Sequence, residues 1–461
     1  MSIYKNLLQK ISLPANWFLL FLVAITTLNS FFWYQSTFLT TKLSRPQDLE
    51  IRILEQQKSK FGSQYLATSS VGKIILESKN IYKVGYLYTI SSSLEFFEMK
   101  DDSPKFSSYY IGNGIVAKSK SEKIVFESTI CDQECSFWKF LAQTKYRLGD
   151  SFDQIICKKL NFINEWFGNS CDKVLAWSFG LIIGNGTLFD TKTKSDLKKI
   201  GITHLVVVSG FQVGLVVSFI EFLFIQLKLN RKLRLSLSVL GIFGLICIVG
   251  VQPPVLRSGL SIFLIQFGLI FFGRKLSPIR SLFYSGIILL WLFPYYVISV
   301  SFWLSFTATF GLIMSSNIEN DKEKESEGNI ELEWFLELKS LVLACIFTFL
   351  YTLPIVVSLS GFVSPLAILV NMILIPIIPF ISLLNMLTYI PFIGEFFGIF
   401  VVIVQNLLVL LVADFGSKIP IVEIEKFGPW EMMTFWILLT IFVLYCKYII
   451  RSNNIKPKIL D

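Results

Sequence analysis

The run "ITHLVVVSGFQVGL" (202–215) opens on an imidazole and then interrupts an apolar stretch with Ser209-Gly210 and the carboxamide of Gln212. His204 is the only histidine in 461 residues. Its ring titrates near neutral pH, and Ser209 and Gln212 can each donate and accept hydrogen bonds. Inside an apolar span such groups need partners or water. Arg257, in "QPPVLRSGL" (252–260), poses the same problem with a permanent charge. Two cations at similar depth near a helix mouth would attract phosphates. Plainer roles compete with that chemistry. His204 can be an ordinary interfacial residue, and Arg257 can pair with Asp414 or snorkel to the headgroups. Gly210, Gly214 and Ser218 form a small-residue stripe at helical spacing, which lets a second helix approach closely and explains Ser-Gly without any chemistry.

Other chemistries find little to work with. One histidine cannot build a His-rich metal set, so no metal and no cofactor are expected. No Gly-x-x-x-x-Gly-Lys-Ser/Thr loop is present to cradle a nucleotide. The sequences "GNG" at 112–114 and 184–186 read as turns.

The elements that must position these residues are mostly membrane spans. The chain is 53% hydrophobic and 16% charged, against roughly 25% charged in soluble domains. Several stretches reach the about 20 apolar residues that cross a bilayer. Beyond a first span at 17–34, the candidates are 203–227, 233–251, 255–273, 281–296, 297–315, 334–358, 362–380, 395–413 and 430–450. "VLAWSFGLIIG" (174–184) is too short to cross and reads as re-entrant. Around Pro376, Pro379 and Pro391, one broken span and a span plus a re-entrant piece both fit. The basic loops "KLNRKLR" (228–234) and "GRKLSPIR" (273–280) belong on the cytoplasmic side. By parity so does the acidic stretch 317–333, which reads as a solvated loop. The net charge of +9 is explained mainly by this orienting charge rather than by nucleic-acid binding. The first apolar stretch lacks a clear cleavage site and reads as an anchor.

Residues 42–130 differ in kind. Short alternating runs such as "LEIRILE", "GKIILES" and "KIVFES" predict about five strands, suited to a small β-barrel such as an OB-fold. The expected fold class is therefore a polytopic α-helical membrane protein with a small extracytoplasmic all-β, OB-like domain near the N-terminus. Its parts are a tail and first transmembrane helix (1–41), the β domain (42–130), a Cys-containing linker of interfacial helices (131–172), the membrane domain (173–450) and a cytoplasmic tail (451–461). In the β domain, Lys83, Tyr86, Tyr88, Phe97, Tyr110 and Lys118 could stack and neutralise a single strand, or simply form the core and rim of the barrel. Cys131, Cys135, Cys157 and Cys171 fall on the side where disulfides persist and allow one or two bridges, or packed thiols.

The stretch "THLVVVSGFQVGL" resembles the hallmark of the ComEC competence family, usually His-Leu-Leu-Ala-Ile-Ser-Gly-Leu-His-Val-Gly. His204, Ser209, Gly210, Val213 and Gly214 match, with Phe211 and Gln212 in place of Leu and His. "PPVLRSG" (253–259) resembles the family's Pro-Ser-x-x-Arg-Ala element. "SFWLSFTATFGLI" (301–313), which holds Ser305, resembles its Phe-Gln-Leu-Ser-Phe element, with Trp303 at the glutamine. Pro354, Asn371 and Pro376 fall where the family has Pro, Asn and Pro, and Asn185 stands in the acidic position of its Leu-Gly-Asp run. The likeness covers roughly 170–380 by motif and 40–170 only by domain order.

The resemblance implies a bacterial inner-membrane channel, multi-pass, that takes in one strand of transforming DNA. His204, Ser209, Gly210, Gln212, Arg257, Ser305 and Asn371 are then candidates for the DNA path. Its partners would be single-stranded DNA, membrane lipid, a separate DNA receptor, a nuclease, and a cytoplasmic motor or strand-binding protein; a homo-oligomer is compatible. Many relatives end in a metallo-β-lactamase-like domain. Here the chain stops at Asp461, and no hydrolase activity is expected in this polypeptide. The competing expectations are a transporter or envelope enzyme for another anionic substrate, such as a lipid-linked sugar, and a structural subunit that binds DNA without conducting it.

Overall fold

The computed structural model describes strands at 47–59, 62–69, 72–78, 87–92, 94–96, 115–120 and 123–127, residues 140 and 144, and then 153–183, 189–202, 209–250, 252–274, 276–319, 330–388 and 393–455. The first expected span, His204, Lys83, Tyr86, Phe97, Tyr110, Cys131 and Cys135 lie outside the described residues. Two compact units are present: residues 1–143 with 283–302, and residues 144–282 with 303–461.

The first unit holds a seven-stranded sheet. Its strands are β1 (Gln47–Ser59), β2 (Gly62–Ser69), β3 (Gly72–Ser78), β4 (Leu87–Ser92), β5 (Leu94–Phe96), β6 (Ile115–Lys120) and β7 (Lys123–Glu127). The order across the sheet is β5-β6-β3-β2-β1-β4-β7. Strands β1, β2 and β3 form an antiparallel meander, whereas β6 joins β3 in parallel. Only Ser93 separates β4 from β5, so one stretch of chain pairs first with β1 and then with β6. Alternation does the burying. Ile51 and Ile53, Tyr65 and Ala67, and Ile74 and Leu76 point to the same side and are each fully buried, as a period of two requires. Strand β1 carries a bulge between Ile53 and Glu55, the device that bends a long strand. In the same unit, Tyr296 stacks on Phe302, and the Lys73 ammonium lies 6.0 Å from the Tyr295 ring centroid. Burial pushes the Lys73 pKa down.

The second unit is helical apart from a short antiparallel pair, Phe362–Val363 with Val422–Glu423. A π-helical segment, Asp153–Lys159, leads into α1 (Asn161–Trp166), α2 (Cys171–Ile183), α3 (Thr191–Ile200), α4 (Gly210–Gln226), α5 (Arg231–Val249) and α6 (Pro253–Phe271). Helix α7 (Pro278–Leu292) and a 3-10 turn at Pro294–Val297 follow. Then come α8 (Val300–Glu319), α9 (Ile330–Ser360), α10 (Ala367–Leu387), α11 (Gly394–Lys418) and α12 (Pro429–Ile455). Helices α7 and α8 each run across the division between the units. Local sequence sets several ends. Asp190 and Asn230 accept from the backbone N–H groups of Thr193 and Leu233 and cap α3 and α5. Gly201, at φ 82°, closes α3 in the left-handed region.

Among the described residues, three helices are long and apolar enough to cross a membrane: Pro253–Phe271, Leu338–Ser360 and Gly394–Gly416. Helix α10 runs unbroken through positions 376 and 379. Neither proline breaks the helix, contrary to a broken span at these two positions, and Pro391 lies outside the described residues. Helix α2 has 13 residues, or roughly 20 Å at 1.5 Å per residue, which is too short to cross. Its Trp177 and Ser178 are buried, packed with α3, α10 and α11 through Leu197, Ile378 and Leu408. Cys157 and Cys171 form a disulfide with a Cα–Cα distance of 5.3 Å, tying the π-helical segment to the start of α2.

Candidate functional site: a polar seam between the helices

An apolar helix that carries an amide or a charge must find it a partner within the bundle. In the helical unit those partners are other helices' polar groups, and they line up around α4, α6, α10 and α11. Gln212 is 4% exposed. Its Oε1 accepts from the Ser209 N–H at 2.6 Å, the carboxamide arm of a capping box. Its Nε2 donates to Ser382 Oγ on α10 at 2.8 Å. One carboxamide thus ties off the start of α4 and links it to α10. A neutral imidazole also offers one acceptor and one donor, so Gln212 supplies the hydrogen-bonding pattern of the histidine found in the resembled motif. A small cavity opens beside this pair, walled by Leu181, Leu215, Leu245 and Met386. It has room for about one water.

Arg257 is 4% exposed on α6, one of the three helices suited to crossing a membrane. Its Nε donates to Ser305 Oγ on α8 at 2.8 Å. Among the described residues no carboxylate lies within ion-pair reach of Arg257. Asp414, the partner considered from the sequence, pairs instead with Lys418 one turn along α11. The side chain turns inward rather than snorkelling. Its Nη2 comes within 3.1 Å of the point that a β-carbon on Gly210 would occupy. Gly210 is therefore small for a reason: α6 and its guanidinium lie against the first turn of α4. The rest of the expected stripe does not continue this contact. A β-carbon on Gly214 would meet nothing within 4 Å, and Ser218 is exposed.

The structure thus brings together Ser209, Gly210 and Arg257, with Ser305 and Gln212 attached to them. Asn371 stays apart. It lies on α10 with Oδ1 buried and without a hydrogen-bond partner.

Further polar groups join the seam that the sequence reading did not single out. Ser178 on α2 donates to Gln405 Oε1 on α11 at 3.0 Å. Gln405 Nε2 reaches Asn385 Oδ1 on α10 at a long 3.5 Å. Asn406 donates to Asn164 Oδ1 on α1 at 2.8 Å and accepts from Asn169 at 2.9 Å. Gln266 on α6 donates to Glu221 on α4 at 2.7 Å, leaving its buried Oε1 unpaired. The signal was present in "VVIVQNLLVLLV" (401–412), where an amide pair interrupts an apolar run.

In the β unit, Tyr88 is 1% exposed and belongs to the sheet core. Of the two readings left open for it, burial agrees with core rather than with a stacking face. Lys118 pairs with Glu77 at 3.0 Å and is half-buried.

Residues 181–448 match the family model described as Competence protein, a span of more than half the chain that contains α4 to α11 but not Asn164, Asn169 or Ser178. The chain belongs to the competence protein family. It is 32% identical over 179 residues to an uncharacterized protein of Aquifex aeolicus, covering 39% of this chain and 38% of that one. It is 26% identical over 196 residues to ComE operon protein 3 of Bacillus subtilis, covering 42% of this chain and 24% of that one. The matched stretch thus spans well under half of either relative. No solved structure matches.

Proposed function

We propose that this competence-family chain is a multi-pass protein of the bacterial inner membrane that passes one strand of DNA between its helices. The observation that carries the reading is the sign of the buried charge. Among the described residues of α4 to α12, the one fully buried ionised side chain is a cation, Arg257, and the other buried polar groups are hydroxyls and amides. A phosphodiester strand carries one negative charge per nucleotide, which hydrocarbon would exclude. The buried cation beside Gly210 favours it; the seam's one carboxylate among the described residues, Glu221, is half-buried and tied to Gln266, and the buried Asp196 lies on α3 against Gly416 of α11. The competence family and the relative named ComE operon protein 3 supply the substrate class.

The sheet fits an OB-like role on the outer side. A three-strand meander, a parallel β3·β6 pair and a β4–β5 segment that pairs with both β1 and β6 support that reading, with β7 added beside β4. The chain itself performs no hydrolysis in this scheme. A receptor, a nuclease and a cytoplasmic motor or strand-binding protein act beside it. Because the cavity at Gln212 has room for about one water, conduction requires α4 to move relative to α10.

Reconstitution tests this directly. The purified chain in lipid vesicles should let a fluorescent single-stranded oligonucleotide reach a compartment that external nuclease cannot attack. Entry no greater than in protein-free vesicles, with folded protein present, would reject it.

A further inference from the structure

The start of α4 and the guanidinium of Arg257 are both positive, and they face each other. The first N–H groups of a helix have no intrahelical partner and carry its positive dipole end. A cation packed against that end is in the wrong place unless an anion shares the site. Arg257 is 4% exposed and is held by one hydrogen bond, at Nε. Its Nη2 is aimed at the Gly210 end of α4, with a β-carbon on Gly210 lying only 3.1 Å from it. The Ser209 N–H is taken by Gln212 Oε1 and, in the other arm of the capping box, the Gln212 N–H by the Ser209 side chain, which leaves the Gly210 and Phe211 N–H groups for a ligand. A helix N-terminus opposite a planar donor fork is the geometry that binds phosphate oxygens.

We propose that the first turn of α4 and the Arg257 guanidinium form a single-phosphate seat, which holds one backbone phosphate of the passing strand. The assignment of the strand as occupant rests on the DNA-path reading; the seat itself does not. Gly210 is a positioning residue, because a β-carbon there would meet Arg257 Nη2 and Ser258 Cβ, each at 3.1 Å, and crowd the space between α4 and α6. Ser305 orients the guanidinium from the far side. A seat for one phosphate, with no carboxylate to compete among the described residues, would hold each nucleotide briefly and without regard to its base.

The test uses the full chain in nanodiscs of zwitterionic lipid, as wild type, Arg257→Gln and Gly210→Ala. Thermal melting is followed while inorganic phosphate is titrated, with chloride matched for ionic strength. Wild type should be stabilised by phosphate, and both variants should lose that protection. Equal protection in all three would overturn the seat, whatever the chain transports. Should either variant not fold, Arg257→Lys keeps the charge without the fork and should show weaker protection; unchanged protection there would count against the seat. Binding of an oligothymidylate is then measured against salt. Losing one phosphate contact should lower the log–log slope by about 0.7. Phosphate protection that vanishes in the variants while the oligonucleotide slope stays constant would assign the seat to free phosphate or a lipid headgroup and remove it from the strand's path. If wild type binds no oligonucleotide at all, the DNA-path reading fails and the phosphate titration alone judges the seat.

Discussion

Arg257 and Ser305 join α6 to α8, the guanidinium Nε donating to the hydroxyl at 2.8 Å. A neutral hydroxyl orients the cation without cancelling it. Ser305→Ala leaves a buried cation without that acceptor, at a cost of about 1–3 kcal/mol. DNA entry should fall several-fold while the protein still inserts. Arg257→Lys should not restore entry, because a compact ammonium lacks the planar fork. Nuclease-protected label in cells, normalised to membrane-inserted protein, reads both effects.

Gln212 has two hydrogen bonds to satisfy, to the Ser209 N–H and to Ser382 Oγ. Gln212→His preserves one acceptor and one donor and should retain most of the DNA entry. Gln212→Leu strands the Ser209 N–H and should destabilise the fold by about 1–3 kcal/mol. Thermal melting of the purified variants separates the two.

If α4 must part from α10 to admit a strand, holding Gln212 and Ser382 together should stop transport. A Gln212→Cys/Ser382→Cys pair, joined through two disulfides by a short bis-methanethiosulfonate that releases methanesulfinate at each thiol, in a background lacking Cys131, Cys135, Cys247, Cys345 and Cys446, should block DNA entry. Reduction should restore it. Full entry with the linker in place would show that this contact does not open.

The Cys157–Cys171 bridge joins residues at a sequence separation of 14, a constraint worth about 3 kcal/mol on the chain-entropy account. Reductant should lower the melting temperature of the wild type and leave a Cys157→Ser/Cys171→Ser variant unmoved. A wild type equally stable with and without reductant would contradict the assignment.

Hydrogen bonding from Thr193 holds the Asp190 carboxyl below the ordinary carboxylate range. Its cap therefore stabilises α3 fully above that range, and the contribution is lost as pH falls through the depressed value. Asp190→Ala should cost about 1 kcal/mol at neutral pH, and less in acid. Asp190→Asn should keep a cap whose strength does not change with pH. Melting at neutral and acid pH checks the sign.

Much of this architecture was legible because apolar length and strand alternation are local signals. The candidate spans 233–251, 255–273 and 395–413 fall on α5, α6 and α11 within a few residues. The pairs 51/53 and 74/76 bury as their alternation says, whereas the strands Gly62–Ser69 and Ile115–Lys120, in addition to the about five expected, were not singled out. Partner choice was not legible. That Arg257 meets Ser305 rather than Asp414 depends on which helices adjoin, and apolar periodicity does not encode that. The small-residue stripe misled beyond Gly210, since spacing places residues on a face without saying how far the neighbouring helix follows it. Tyr88 shows the same limit in the sheet. An aromatic next to lysines looks like a nucleic-acid contact until its side of the strand is known.

The central claim is that a DNA strand crosses through this chain. Its most direct test is a transformable host whose own copy is deleted and replaced by wild type or Arg257→Gln, supplied with end-labelled DNA. The expected result is unchanged surface binding of label in both strains, with cytoplasmic, nuclease-protected label restored by wild type and lost with Arg257→Gln. Protected label at the undeleted level in the deletion strain itself would contradict the claim.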